Sequence, residues 1–171
     1  DNIMVYGGLK ETGIEKDKYV VNHGAFVSKP NEQSLLRFCG RIIRSETKKE
    51  VIAQLLLDFV TRRIKFSADE AGGEYEVMKR PNEVLMTGNA DCSGMTILYA
   101  SMLEQYGINY LLTYFPGHIA VSVEGNFPKD NSLNFNYEGR TYTMAETTAK
   151  GFVIGRTMLL KKDITGEIRF V

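Results

Sequence analysis

The chain has 171 residues, enough for one domain with its own core, and 43% hydrophobic against 25% charged residues is the balance of an ordinary globular protein. Lysine plus arginine and aspartate plus glutamate both number 21, so the formal charge is zero and there is no broad electrostatic footprint for nucleic acid or an anionic membrane. No apolar run is long enough to cross a bilayer, and two cysteines with two histidines argue against both a disulfide scaffold and a structural zinc site.

The chain starts at Asp1 rather than Met, which reads as a trimmed N-terminus and leaves a secreted or periplasmic location open. Residues 1–30 read as a strand-like extension, with short strands at Tyr19-Val20-Val21 and Ala25-Phe26-Val27 around an Asn22-His23-Gly24 turn. Pro30-Asn31 then opens a helix on which Leu35, Leu36, Cys39, Ile42 and Ile43 recur at helical spacing. Cys39 lies on that apolar stripe and reads as a buried, inert thiol. A second helix starts at Thr47, where Thr47 and Glu50 have the spacing of a capping box. Val51, Ile52, Leu55, Leu56, Phe59, Val60 and Ile64 form its apolar face.

Residues 66–90 are punctuated by Gly72-Gly73, Pro81-Asn82 and Gly88-Asn89 and carry no sustained period, so they read as a long loop of functional character. Residues 92–106 are apolar nearly all round, which marks a central buried helix, and Gly107 suits its left-handed C-terminal position. Strands follow at Tyr110–Phe115 and from His118 to Val123. In the second, Ile119, Val121 and Val123 share one face and His118, Ala120 and Ser122 the other. A hairpin turns at Glu138-Gly139-Arg140 between Phe135-Asn136-Tyr137 and Tyr142-Thr143-Met144, and Phe152-Val153-Ile154 reads as a further strand. Helices first and an antiparallel sheet afterwards give an α+β class in one domain over 1–171.

Cys92 opens the central helix directly after Asp91. A free thiol has a pKa of about 8.5, and a helix N-terminus favours the reactive thiolate. The neighbouring Ser93 and Gly94 are small and leave room for a substrate. His118 follows 26 residues later at the head of a strand, where it could act as general base. Glu146 comes 28 residues beyond that, sharing a strand face with Tyr142 and Met144. A carboxylate bonded to the second ring nitrogen would fix the tautomer and support the imidazolium. His23, far upstream in its turn, has no partner visible in the sequence. Read alone, each residue also has a bland account: a core thiol, a turn histidine and a strand-edge acid.

The stretch Pro81-Asn82-Glu83-Val84-Leu85-Met86-Thr87-Gly88-Asn89-Ala90-Asp91-Cys92-Ser93, ahead of an apolar helix ending at Tyr106-Gly107-Ile108, resembles the bacterial transglutaminase-like superfamily. So do Pro116-Gly117-His118-Ile119-Ala120-Val121 and Tyr142-Thr143-Met144-Ala145-Glu146-Thr147-Thr148, and the likeness covers residues 47–155. It implies a papain-like fold, in which a central helix opened by the nucleophile packs on an antiparallel sheet that supplies the His and the acid. It further implies Cys92 as nucleophile, His118 as base and Glu146 as orienting acid. The chain departs from the family at three points. Ala90 stands where Gly is usual, Glu146 where Asp is usual, and there is no Trp of the kind that lines the acceptor channel of animal transglutaminases.

The expected activity is therefore thiol-dependent acyl transfer on a peptide or amide, chiefly hydrolysis, with no cofactor and a peptide or protein substrate. Tyr75, Asn89 and Ser93 are the candidate substrate-binding residues, with Asn89 and Tyr75 also considered as side-chain oxyanion donors. Two other readings stand beside this one: an inactive module of the same fold that binds a peptide or glycan, and amine transfer by the same nucleophile.

Overall fold

The computed structural model describes residues 5–7, 22–72, 78–115 and 118–157. The first expected strand, Tyr19-Val20-Val21, lies outside them, as does Tyr75. Within them the protein is mixed α and β: five α-helices, a curled antiparallel sheet, and one helix buried against that sheet.

In chain order the elements are β1 (Val5–Gly7), a 3-10 helix (His23–Phe26), α1 (Gln33–Ile43), α2 (Lys49–Arg63), β2 (Lys65–Phe66), α3 (Ala68–Ala71), α4 (Pro81–Thr87), β3 (Asn89–Ala90), α5 (Cys92–Gln105), β4 (Tyr110–Phe115), β5 (His118–Glu124), β6 (Asn134–Tyr137) and β7 (Arg140–Ala145). The large sheet has the order β1-β4-β5-β7-β6, antiparallel throughout. The β6–β7 hairpin turns on Glu138 at φ 48° and Gly139 at φ 76°, the two positive values of a type I′ turn, whose twist matches that of the strands. β2 and β3 form a separate parallel pair.

From Ser93 to Leu103 every residue of α5 is buried. One side packs on β5 and the other meets α1, α2 and α4. Two of its buried polar side chains bond to backbone: Tyr99 Oη donates to Ala53 O at 2.9 Å and Thr96 Oγ1 to Ile119 O at 3.3 Å. The large core cluster gathers Leu35, Leu56, Val60, Leu98, Leu103, Val121 and Val123 on this face of the sheet. A smaller cluster of Phe115, Ala120 and Met144 lies on the other.

Five expectations are corrected. Ala25-Phe26-Val27 is not a strand: residues 23–26 form a 3-10 turn, started by Asn22 Oδ1 accepting from the Ala25 N–H at 3.2 Å. The second helix begins at Lys49, and the Thr47–Glu50 box does not form. Instead Glu46 accepts from the N–H groups of Thr47 and Lys48 at 3.0 and 2.9 Å, while Glu50 turns away to accept from Asn126 N–H. On α2, Ala53 and Leu57 are buried and Val51 is exposed, because the helix packs against both α1 and α5. Residues 66–90 are not a loop throughout, since α3, α4 and β3 fall there. Phe152-Val153-Ile154 is not a strand, and the side-chain amide of Gln54 takes the place of a strand partner: its Nε2 donates to Phe152 O at 2.9 Å and its Oε1 accepts from Ile154 N at 2.9 Å.

Candidate active site

Cys92 is the first residue of α5. Asp91 is the N-cap, and its carboxylate accepts from Gly94 N–H at 2.9 Å, which fixes the first turn. The helix therefore starts at the residue that carries the sulfur, and the first-turn N–H groups and the positive end of the helix dipole lie beside it. β3 pairs with β2 through Phe66 and Ala90, so the chain entering the helix is held from behind. Cys92 is partly exposed, whereas the residues after it, Ser93 to Leu103, are buried.

His118 is the first residue of β5, directly opposite Phe115 of β4, and the two rings lie 6.3 Å apart between centroids. Its Nε2 is 2.7 Å from Glu146 Oε2. Glu146 follows the last residue of β7, is 1% exposed, and uses its other oxygen to accept from Thr148 N–H at 3.0 Å and Thr148 Oγ1 at 2.8 Å. Both carboxylate oxygens are thus bonded, which is what a buried charge requires.

Cys92 lies close enough to His118 to raise the pKa of its ring. With Nε2 given to Glu146, Nδ1 is the nitrogen that remains for the sulfur. Burial by itself pulls the His118 pKa down, but the interactions with Cys92 and Glu146 and the charges they carry outweigh it and lift the value to about 10. The buried carboxylate of Glu146 and the nearby Cys92 therefore favour the protonated form of His118. Cys39, by contrast, is fully buried in the core, and desolvation pushes its thiol up to about 12.

Two residues considered for substrate binding are held by internal bonds. Asn89 Oδ1 accepts from Lys79 Nζ at 2.9 Å, and Lys79 also pairs with Glu70. Ser93 is buried, with its Oγ 3.2 Å from His23 Nε2. His23 is the residue that sequence reasoning passed over. It is 6% exposed, one ring nitrogen meets Ser93, and the other meets Tyr114 Oη at 2.9 Å. Those partners are 70 and 91 residues away, so no local pattern could reveal them.

Among the described residues no group of three or more His, Cys, Asp or Glu side chains could hold a metal ion. No helix there is long and apolar enough to cross a membrane. A cleft of about 420 Å³, lined by Glu104, Tyr110, Tyr137, Arg140 and Tyr142, lies at the opposite end of the sheet from His118 and Glu146. The chemistry-bearing side chains, rather than cavity size, therefore define the candidate site. The chain matches no family model, no curated protein and no solved structure.

Proposed function

We propose that this protein is a thiol-dependent amide hydrolase acting on peptide substrates, with Cys92 as nucleophile, His118 as acid–base and Glu146 as the group that orients and charges His118. One observation carries the reading: His118 is bonded to the buried Glu146 and has Cys92 near enough to raise its pKa. The placement of these residues, with the thiol at the N-terminus of a buried helix, His118 at the start of β5 and Glu146 just past the end of the neighbouring β7, supports a papain-like arrangement of the transglutaminase-like kind.

The Cys92 thiolate attacks the amide carbonyl carbon, and the carbonyl electron pair moves onto oxygen. The Cys92 N–H, in the first turn of α5, is placed to donate to that oxyanion. Collapse of the adduct breaks the C–N bond, and the His118 proton passes to the leaving amine. Neutral His118 then takes a proton from water as the water attacks the thioester. The acid is released and the thiolate–imidazolium pair restored. Across the cycle, amide and water become acid and amine.

The test uses iodoacetamide and a peptide library. Cys92 should alkylate at least tenfold faster than Cys39 at neutral pH, and Cys92→Ala should abolish cleavage of any peptide that the wild type turns over. Equal, slow labelling of both cysteines, with no cleavage, would overturn the proposal and leave the three residues as a polar support for the core.

A further inference from the structure

We infer that His23 is a positioning residue that clamps the first turn of the nucleophile helix to the strand pair carrying His118, and so sets the approach of the Cys92 sulfur to the His118 ring. The inference rests on the reading of Cys92 and His118 as a reactive pair and adds a fourth residue to it.

His23 joins two elements through its two ring nitrogens. Its Nε2 meets Ser93 Oγ at 3.2 Å, one residue from Cys92 on α5. Its Nδ1 meets Tyr114 Oη at 2.9 Å, one residue from Phe115, the direct cross-strand partner of His118. The ring therefore spans from α5, which holds the sulfur, to β4, the strand paired with the one that holds the base. Both partners are hydroxyls, which donate or accept, so either tautomer of His23 and its protonated form satisfy the two bonds. The Tyr114 ring lies 5.4 Å from the His23 ring between centroids, which adds packing to the polar contact.

The clamp is itself anchored. Asn22 caps the turn that holds His23. Beyond that turn, Ser28 N–H donates to Ser101 Oγ at 2.9 Å, Gln105 Nε2 donates to Lys29 O at 2.9 Å, and Glu32 N–H donates to Gln105 Oε1 at 2.9 Å. Ser93, Ser101 and Gln105 are spaced by eight and four residues along α5. The segment from His23 to Glu32 is bonded to the helix at these three residues, and His23 is its end at the sulfur. A small displacement of reacting groups can cost about a hundredfold in rate. A fixed bridge at this point is where such a displacement would be prevented.

The experiment measures the iodoacetamide rate constant of Cys92 against pH, with melting temperatures, for wild type, His23→Ala, His23→Gln, His23→Asn, Tyr114→Phe and His118→Asn. A Gln amide reaches the Nε2 position and can keep the Ser93 bond. An Asn amide sits near Nδ1 and can keep the Tyr114 bond. His23→Ala should lower the rate at neutral pH at least tenfold and change the shape of the pH profile. His23→Gln and His23→Asn should each recover part of the loss, and Tyr114→Phe, which leaves His23 in place, should shift the profile in the same direction by less. Wild-type profiles in every folded His23 variant and in Tyr114→Phe would overturn the inference, including the case where His23→Ala does not fold. His118→Asn separates the two readings. If it changes the profile and the His23 variants do not, only the clamp fails; if it changes nothing, the reactive pair itself is wrong.

Discussion

At the residue scale, the length of one side chain decides the His118–Glu146 contact. β5 and β7 are in register through Val121 and Ala145. One step further sets Glu146 opposite Ala120, so His118, two residues along, is its diagonal neighbour rather than its direct one. Diagonal positions are about 7–8 Å apart at Cα, a span suited to longer side chains. The longer side chain of Glu146 suits that span. Glu146→Asp should keep the fold, weaken the bond to Nε2 and slow Cys92 alkylation. Glu146→Gln should lower the rate further, by about 10²–10⁴ in turnover if it behaves like the loss of an orienting acid elsewhere. Proton NMR of the imidazole should show the His118 pKa falling from about 10 in both variants. The wild-type shift also sets a stability window. The folded pKa lies above the ordinary value of 6.5, so the contribution is fully present below about pH 6.5 and is lost as pH rises through about 10. Denaturant midpoints measured across that range should fall more steeply for wild type than for His118→Asn.

At the element scale, the start of α5 is fixed by a close approach that involves Ala90. A Cβ built on Gly94 would lie 2.7 Å from the Ala90 Cβ, closer than two such carbons can come, with Val84 Cγ2 at 3.5 Å on the other side. The turn carrying Cys92 therefore packs against β3 only because residue 94 has no side chain. Gly94→Ala should destabilise by about 1–3 kcal/mol through overpacking and slow Cys92 labelling. Adding Ala90→Gly should recover much of both losses, and a thermal melt of the single and double variants checks it. The same element shows what a sequence can disclose. α5, the β4–β5 pair and the I′ hairpin were legible because each has a sustained period or a turn residue with a backbone requirement. Ala25-Phe26-Val27 and Phe152-Val153-Ile154 were not, because a three-residue apolar run suits a strand, a turn or a buried coil equally. In 66–90, Pro81 and Gly88 read as loop punctuation, yet they are the start and stop of α4, with Pro in its first turn and Gly88 at φ 70° closing it. Cys92, His118 and Glu146 could be picked out by their order and flanks. His23 could not, since its role exists only once three distant segments meet.

At the scale of the whole molecule, the order of the chain leaves a problem that one side chain solves. Glu146 comes at the end of β7, and the segment after it must be held down without a strand to pair with. Phe152 and Ile154 are each 2% exposed, so their backbone groups are removed from water and need partners. Gln54, on α2, supplies both, accepting from one N–H and donating to one C=O as a neighbouring strand would, across about a hundred residues of sequence. Its Nε2 also reaches Asp58 Oδ1 at 3.0 Å, which fixes the orientation of the amide. The helical layer thereby holds the stretch that begins with Thr148, the residue bonded to the second oxygen of Glu146. Gln54→Ala leaves Phe152 O and Ile154 N–H without these bonds and should cost about 1–3 kcal/mol, or roughly 2–4 °C in melting temperature per kcal/mol. Gln54→Glu should be worse than Gln54→Ala, because a carboxylate still accepts from Ile154 but turns a second acceptor toward Phe152 O and stands beside Asp58. Hydrogen exchange at the Ile154 amide should quicken in both variants. If it does so while the amides of α5 stay protected, the 149–157 segment is held locally by Gln54 rather than by the fold as a whole.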